Sequence, residues 1–262
     1  MNNILEGSIK AARQAGKEIL KIYDRDYKVS EKEDKSPVTE ADLVSDKIII
    51  DILNNFDYPI LSEESKDDFA DFDAPNFWVV DSLDGTMDFI QKTGEFSIMI
   101  GLVEAGEPAL GVVYKPATNE LYYARKGEGA YLDNNGVTKK IKVSDIRDLK
   151  EGRLVLSRNH FKPKDKLLAD KMKISKFRKS GSNGIKIGLI ASNQADLFFN
   201  LTDKMGKWDS CAPEAILKEA GGMITDIRGE EINYNERETR NKFGIVASNK
   251  FIHSQIIQNI NI

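Results

Sequence analysis

The chain has 262 residues, of which 40% are hydrophobic, enough apolar material for one large domain or two closely packed lobes. Its 38 basic and 42 acidic residues give a net charge of -4, which argues against a nucleic acid polymer as partner but allows a small anionic substrate held through metal. One cysteine excludes an intramolecular disulfide and no apolar run approaches the roughly 20 residues of a membrane span, so we expect a cytoplasmic protein with no membrane partner.

The first predicted element is an amphipathic helix over residues 3 to about 24, with apolar side chains at helical spacing that should pack on a sheet. A second helix is predicted to run from Thr39 to about residue 55, because Thr39 followed three residues later by Asp42 has the form of a capping box. Capping alone would explain both residues. The functional alternative is that Asp42 lies beside a metal site and helps to polarise an attacking water.

The stretch FWVVDSLDGTMDF, residues 77–89, is the centre of the sequence. A buried strand is predicted to deliver Asp81 and Asp84 to its C-terminal end. Two carboxylates this close repel each other unless a cation lies between them, and oxygen ligands suit Mg²⁺. Gly85 would allow backbone N–H groups to approach a phosphate. The alternative is an ordinary turn with solvated acids. A short strand at residues 60–61 also ends in acids, Glu63 and Glu64.

The remaining pattern divides the chain into two halves. Strands predicted at 96–103, 109–115 and 120–124, with a hairpin turn at 134–136, indicate an antiparallel meander and an N-terminal α+β lobe of about residues 1–150. Strands at 153–157, 174–179, 195–201, 222–227 and 243–248 alternate with helices at 163–172, 184–192 and 211–220 and a last helix, which indicates a C-terminal α/β lobe over about 151–262.

The two histidines have different predicted settings. His160 follows the strand at 153–157, where it could contact substrate or be an ordinary loop residue, and His253 should lie on the surface of the last helix. With so few histidines, nucleophilic triads and zinc sites have little support.

Near the C-terminus, Trp208 and Asp209 precede a helix that ends at Gly221-Gly222. Together with Asp42, Glu63 and the segment DSLDGT, they resemble the signature of the lithium-sensitive, magnesium-dependent phosphomonoesterases of the inositol monophosphatase superfamily. The segments SPVTEAD, PILSEE and KWDSCAPEAILKEAGG look most like the 3'(2'),5'-bisphosphate nucleotidases of the CysQ type. Ser82 departs from the family, which usually has proline there.

The resemblance implies a layered αβαβα sandwich of the inositol monophosphatase and fructose-1,6-bisphosphatase type, forming a single unit with metals between the two lobes. Two to three Mg²⁺ ions are implied. Glu63, Asp81 and the Leu83 carbonyl would hold one, and Asp81, Asp84 and Asp209 a second. A third, weaker ion would lie near Glu63, which is counted with the catalytic residues.

In the same resemblance, Asp42 and Thr86 orient the attacking water, and the backbone around Gly85 and Thr86 binds the phosphate. The implied reaction converts adenosine 3',5'-bisphosphate, or its sulfated form, to AMP and phosphate. Ser182 and Lys186 are candidates for contacting the other phosphate or the ribose.

One position in particular does not distinguish between an inositol phosphate and a nucleotide as substrate. Asn200 stands where inositol phosphatases carry Glu and many nucleotidases carry Arg, so it favours neither. The alternatives are an inositol-1-monophosphatase or a sugar phosphatase such as fructose-1,6-bisphosphatase. A non-catalytic metal- or phosphate-binding regulatory protein is a third reading, which the intact water-orienting pair disfavours. Either a monomer or a homodimer is expected.

Overall fold

A computed structural model describes residues 3–31, 36–68 and 74–260. The helices are α1 (Asn3–Tyr23), α2 (Glu40–Leu53), α3 (Thr86–Ile90), α4 (Pro163–Lys171), α5 (Asn183–Ala191), α6 (Cys211–Glu219) and α7 (His253–Ile260). The strands are β1 (Val29–Glu31), β2 (Pro37–Thr39), β3 (Ile60–Ser62), β4 (Asn76–Asp84), β5 (Ser97–Glu104), β6 (Glu107–Lys115), β7 (Glu120–Arg125), β8 (Gly129–Asn134), β9 (Val137–Ile141), β10 (Arg153–Ser157), β11 (Lys176–Ser180), β12 (Leu197–Asn200), β13 (Gly222–Thr225) and β14 (Ile245–Asn249).

The first large sheet has seven strands in sequence order, β3 to β9. β3 runs parallel to β4, and each following pair is antiparallel, so the predicted meander is confirmed. The predicted hairpin turn at 134–136 joins β8 to β9, where Asn135 and Gly136 both have positive φ. That backbone geometry matches the right-handed twist of the flanking strands.

The second sheet has five strands in the order β11-β10-β12-β14-β13. β11, β10 and β12 are parallel, as the predicted α/β alternation requires. β14 differs, because it lies between β12 and β13 and runs antiparallel to both. Loop 226–244 contains no helix that would carry the chain back across the sheet. The next strand therefore starts at the end of the sheet where β13 finishes and runs antiparallel to it.

The helices and sheets form five layers. α1 and α2 pack on one face of the seven-stranded sheet, α5 and α6 fill the space between the two sheets, and α4 and α7 cover the outer face of the second sheet. This arrangement is the predicted αβαβα sandwich. In the described part of the chain, no helix combines the length and apolarity needed to cross a bilayer.

His253 is not on the surface, so that prediction is wrong. It is the first residue of α7, it is 4% exposed, and its ring lies against the second sheet. Nδ1 is 2.8 Å from the Ser248 hydroxyl, and Nε2 is 2.9 Å from the Thr225 hydroxyl. Because both ring nitrogens have partners, the imidazole can be buried at little cost.

Candidate metal centre and active site

The centre of the site is the C-terminal end of β4, where two aspartates are buried. Asp81 is 2% exposed and Asp84 is 7% exposed. The pairing of β4 with β5 shifts register between these residues, which re-aims the side chains at the end of the strand. Asp81 Oδ1 accepts a hydrogen bond from the Leu83 N–H at 3.0 Å, so the backbone of the motif holds this carboxylate in place.

A third aspartate reaches the same point from the second half of the chain. Asp209 ends a short 3₁₀ turn just before α6. Its Oδ2 accepts from the Gly206 N–H at 2.6 Å, and its Oδ1 accepts from the Asn183 amide at 2.9 Å. Ligand atoms of Asp81, Asp84 and Asp209 all lie within 4.8 Å of one another, so the structure brings together these three predicted metal ligands.

Burial and mutual repulsion both disfavour the ionised form of these carboxylates. Burial raises the pKa of Asp81, and the negative charges of Glu63, Asp84 and Asp209 raise it further. Burial also raises the pKa of Asp209, to about 8, with added repulsion from Asp84 and Glu63. Such a cluster is stable in ionised form only when positive charge is nearby. The donor set is all oxygen, which fits a hard divalent cation.

One positive charge is built into the protein. Lys186 lies on α5, is 3% exposed, donates to the Gly181 carbonyl and lies 5.2 Å from the centroid of the Phe198 ring. Burial lowers the pKa of its amine, while Asp84 and Asp209 act in the opposite direction. Burial has the opposite effect on the acid and raises the pKa of Asp84, whereas the positive charge of Lys186 lowers that pKa. Lys186 therefore lies behind the acids as a partial countercharge.

Glu63 and Leu83 lie beside the three aspartates. Glu63 follows β3, and the parallel pairing of Ser62 with Val80 carries Glu63 to the same end of the sheet as Asp81. It is not one of the three acids whose ligand atoms lie within 4.8 Å, although its charge contributes to the raised pKa of each. The Leu83 carbonyl accepts the Thr86 hydroxyl at 3.2 Å.

Asp42 and Thr86 form a hydrogen-bonded pair at the edge of this acid group. The predicted capping box is present: Asp42 Oδ2 accepts from both the N–H and the hydroxyl of Thr39 at 2.7 Å. The other oxygen, Oδ1, accepts from the Thr86 hydroxyl at 3.1 Å. The two interpretations of Asp42 are therefore compatible, because each uses a different carboxylate oxygen.

Gly85 allows the sharp turn between the end of β4 and the start of α3. Its φ is +95°, and an added Cβ would lie 3.1 Å from the Glu95 carbonyl oxygen, so a larger residue would be strained there. The turn places Thr86 directly at the start of α3, where the backbone N–H groups have no acceptor one turn earlier in the helix.

The predicted substrate residues have protein partners of their own. The Ser182 hydroxyl donates to Asp84 Oδ2, accepts from the Ile185 N–H as the N-cap of α5, and lies 2.7 Å from the Ser97 hydroxyl. Asn200 Oδ1 accepts from the N–H and the hydroxyl of Thr202 at 2.9 and 2.7 Å.

Sequence reasoning missed Asn183, whose amide holds Asp209. A polar side chain next to the N-cap of a predicted helix is the one signal that was present. Its partner lies 26 residues further along the chain, and nothing local in either segment indicates their contact. A second missed feature is Arg158, which pairs with Glu95 at 2.6 Å and Asp88 at 3.3 Å and so ties the loop after β10 to the residues around α3.

Comparisons with known proteins all place the chain in the same family. The model of the inositol monophosphatase family matches residues 1–262. The 3'(2'),5'-bisphosphate nucleotidase CysQ of Aggregatibacter actinomycetemcomitans is 34% identical over 247 residues, covering 90% of this chain and 89% of the relative. The structure of CysQ from Bacteroides thetaiotaomicron has a TM-score of 0.78 at 34% identity and covers 94% of this chain and 97% of that one. The IMPase of Thermotoga maritima has a TM-score of 0.84 at 32% identity, with coverages of 98% and 96%.

Proposed function

The chain belongs to the inositol monophosphatase family, and from this premise we propose that it is a magnesium-dependent phosphomonoesterase acting on adenosine 3'(2'),5'-bisphosphates. The scissile group is the 3'- or 2'-phosphate, and the products are AMP and phosphate. The observation that carries the proposal is the group of three aspartates, two of them buried and Asp209 half-buried, beside the Asp42–Thr86 pair. A binding protein would need the acids but not the pair that orients a water.

The proposed cofactor is two to three Mg²⁺ ions. Asp81, Asp84 and Asp209 would hold one, and Glu63, Asp81 and the Leu83 carbonyl another, with a further ion near Glu63. Bound Mg²⁺ supplies Lewis-acid chemistry that neutralises phosphate charge and lowers the pKa of water. The raised pKa values of the aspartates support the assignment, since a divalent cation would relieve the repulsion that raises them.

The protein's own contribution to the attack is the orientation of a water. The Thr86 hydroxyl has two acceptors within reach, Asp42 Oδ1 at 3.1 Å and the Leu83 carbonyl at 3.2 Å. When its single proton is donated to Asp42 Oδ1, the Thr86 oxygen can accept a hydrogen bond from the water. Asp42 cannot turn away, because its second oxygen is held by Thr39. We propose that this chain aligns the water for in-line attack on phosphorus, after which the ester P–O bond breaks and no residue becomes phosphorylated.

Support for a nucleotide substrate comes from the CysQ relatives and their coverage of this chain. We keep the Gly85 and Thr86 N–H groups as phosphate ligands, and Ser182 and Lys186 as candidates for contacting the other phosphate or the ribose. Both side chains would exchange a present protein partner for a ligand contact. The alternative substrate is inositol 1-phosphate, supported by the likeness to the Thermotoga maritima enzyme.

The test measures phosphate release from adenosine 3',5'-bisphosphate, inositol 1-phosphate and fructose 1,6-bisphosphate in parallel, with Mg²⁺, without it, and with added lithium. We expect Mg²⁺-dependent release, highest kcat/KM for the adenosine bisphosphate, and inhibition by lithium. Preference for either other substrate would overturn the nucleotidase assignment. Absence of release from all three would favour a binding protein.

Within this proposal the partners are small phosphorylated molecules, and the enzyme works in the cytoplasm as a monomer or a homodimer. The single cysteine supports a reducing compartment, since Cys211 is buried and forms no disulfide. Light scattering coupled to size-exclusion chromatography would determine the oligomeric state.

A further inference from the structure

The long loop 226–244, which joins β13 to β14, lies against the turn that carries Asp209. The backbone of residues 239–241 in this loop pairs with residues 205–207 across an antiparallel bridge. Loops longer than about 15 residues that lack helices and strands are uncommon in compact domains, and those that are ordered usually serve a site. The proposed mechanism assigns this loop no role.

Asn241 holds the peptide group that donates to Asp209. Its backbone N–H donates to the Met205 carbonyl at 2.8 Å. The N–H of that same peptide group, which belongs to Gly206, donates to Asp209 Oδ2 at 2.6 Å. Hydrogen bonds that are linked through one peptide group polarise and strengthen one another. The position of the Asp209 carboxylate therefore depends on where Asn241 holds the chain.

The side chain of Asn241 fixes residues on both sides of Asp209. It is 7% exposed, and its amide nitrogen donates to the Gly206 carbonyl at 2.9 Å and to the Ser210 hydroxyl oxygen at 3.2 Å. A side-chain amide has two N–H donors, so both bonds can form at once. Without the amide, two buried acceptors would each lose a donor, and the turn that presents Asp209 would be less constrained.

Ser210 is also approached by a second residue of the same loop. The Tyr234 hydroxyl lies 3.0 Å from the Ser210 hydroxyl and 2.7 Å from Glu214 Oε2, on α6. When the single Tyr234 proton is donated to Glu214, which is its nearer acceptor, the Tyr234 oxygen can accept a hydrogen bond from Ser210. Two side chains of loop 226–244, Asn241 and Tyr234, thus converge on the hydroxyl next to a proposed metal ligand.

We propose that Asn241, supported by Tyr234, is a positioning residue that sets the affinity of the metal centre for Mg²⁺; this inference rests on the proposed function. Its amide donates to the turn and not to a carboxylate, so it acts through Asp209. Groups that orient a metal ligand commonly change metal affinity by about 10- to 100-fold when they are removed. Because the amide is uncharged, its replacement by leucine keeps the charge of the centre and changes only the hold on Asp209.

The experiment titrates Mg²⁺ into the metal-free protein by calorimetry, for wild type and Asn241→Leu, and measures the rise in Tm on addition of Mg²⁺. Asn241→Leu should raise the Kd for Mg²⁺ about tenfold and reduce the rise in Tm at a fixed Mg²⁺ concentration. At saturating Mg²⁺, kcat and the substrate KM should stay within about threefold of wild type, since no group that contacts substrate is removed. Tyr234→Phe is a milder variant that tests the same role if Asn241→Leu does not fold, and it should raise the Kd about threefold.

The matched control is Asn249→Leu. Asn249 is fully buried, and its amide also donates to a serine hydroxyl and a backbone carbonyl, those of Ser144 at 2.8 Å and Ile146 at 3.2 Å. Both acceptors lie in the segment between β9 and β10 and not in the turn before α6. Loss of a buried amide should lower Tm in both leucine variants, but only Asn241→Leu should weaken Mg²⁺ binding.

The negative results are separable. If the wild type binds Mg²⁺ and the Asn241 and Tyr234 variants bind it with the same Kd, the positioning role is overturned and the proposed function stands. Equal weakening of Mg²⁺ binding in Asn249→Leu would also overturn it, because the effect would then follow from general loss of stability. If the wild type neither binds Mg²⁺ nor releases phosphate in its presence, the proposed function fails and the inference fails with it.

Discussion

At the scale of single residues, Asp42 caps a helix with one carboxylate oxygen and leaves the other for its role in the proposed reaction. Its Oδ2 completes the capping box of α2, and its Oδ1 receives the Thr86 hydroxyl. The cap fixes the rotation of the carboxylate, so the direction of the second oxygen is set by local backbone structure. In the proposed mechanism, a carboxylate held in this way needs little reorganisation when substrate binds.

Thr86 is the residue at which the water-orienting role can be tested. Thr86→Val removes the hydroxyl but keeps the shape, and we expect kcat to fall by about 10²-fold, because a side chain positioned for proton transfer from the reacting water commonly contributes that much. Mg²⁺ affinity, measured by calorimetry, should change little, since the hydroxyl is not among the proposed ligands. Thr86→Ser keeps the hydroxyl and should retain most of the activity. Near-normal kcat in Thr86→Val would remove the Asp42–Thr86 pair from the mechanism.

At the scale of secondary structure elements, α7 is joined to the second sheet through His253. Burial lowers the pKa of His253 to about 4, against an ordinary value near 6.5. In the unfolded chain the ring therefore gains its proton at a pH at which the folded ring stays neutral. The stabilisation is complete above about pH 6.5 and is lost as the pH falls toward 4, with a total of about 3 kcal/mol.

The measurement is the free energy of unfolding in urea between pH 7.5 and pH 4.5 for wild type and for His253→Gln. Carboxylates titrate in the same range, so the informative quantity is the difference between the two proteins at each pH. The advantage of the wild type should shrink as the pH falls. A difference that stays constant with pH would mean that His253 is not held neutral in the folded protein.

The elements differ in how far they can be predicted from sequence. The meander, the capping box and β4 follow from apolar periodicity and turn residues, which are local signals, and their bounds agree with the structure to within a few residues. The antiparallel β14 and the burial of His253 depend on the return path of loop 226–244 and on partners far along the chain. The same limit applies to Ser182, whose hydroxyl donates to Asp84, 98 residues away in the chain.

At the scale of the whole molecule, the acid centre joins segments from both halves of the chain. Asp81 and Asp84 come from the seven-stranded sheet, whereas Asp209 precedes α6, which packs between the two sheets. Repulsion among these clustered carboxylates opposes folding in the absence of a cation, and a cation that binds only the folded state stabilises the entire fold. At 100 times its Kd, Mg²⁺ should add about 2.7 kcal/mol, or about 5 to 10 °C in Tm.

Asp81→Asn separates the repulsion among the carboxylates, which opposes folding, from the binding of the cation, which stabilises the fold. The amide oxygen can still accept the Leu83 N–H, while one buried negative charge is removed. We therefore expect a higher Tm than wild type in EDTA, a much smaller rise in Tm on addition of Mg²⁺, and almost no phosphate release.

Asp209→Asn is the companion variant and should also be folded and inactive. Near-normal turnover of either variant at saturating Mg²⁺ would show that its aspartate is not a metal ligand. An unchanged Mg²⁺-dependent rise in Tm in both would place the stabilising ion elsewhere in the protein, because a cation cannot stabilise the fold through ligands that have been removed.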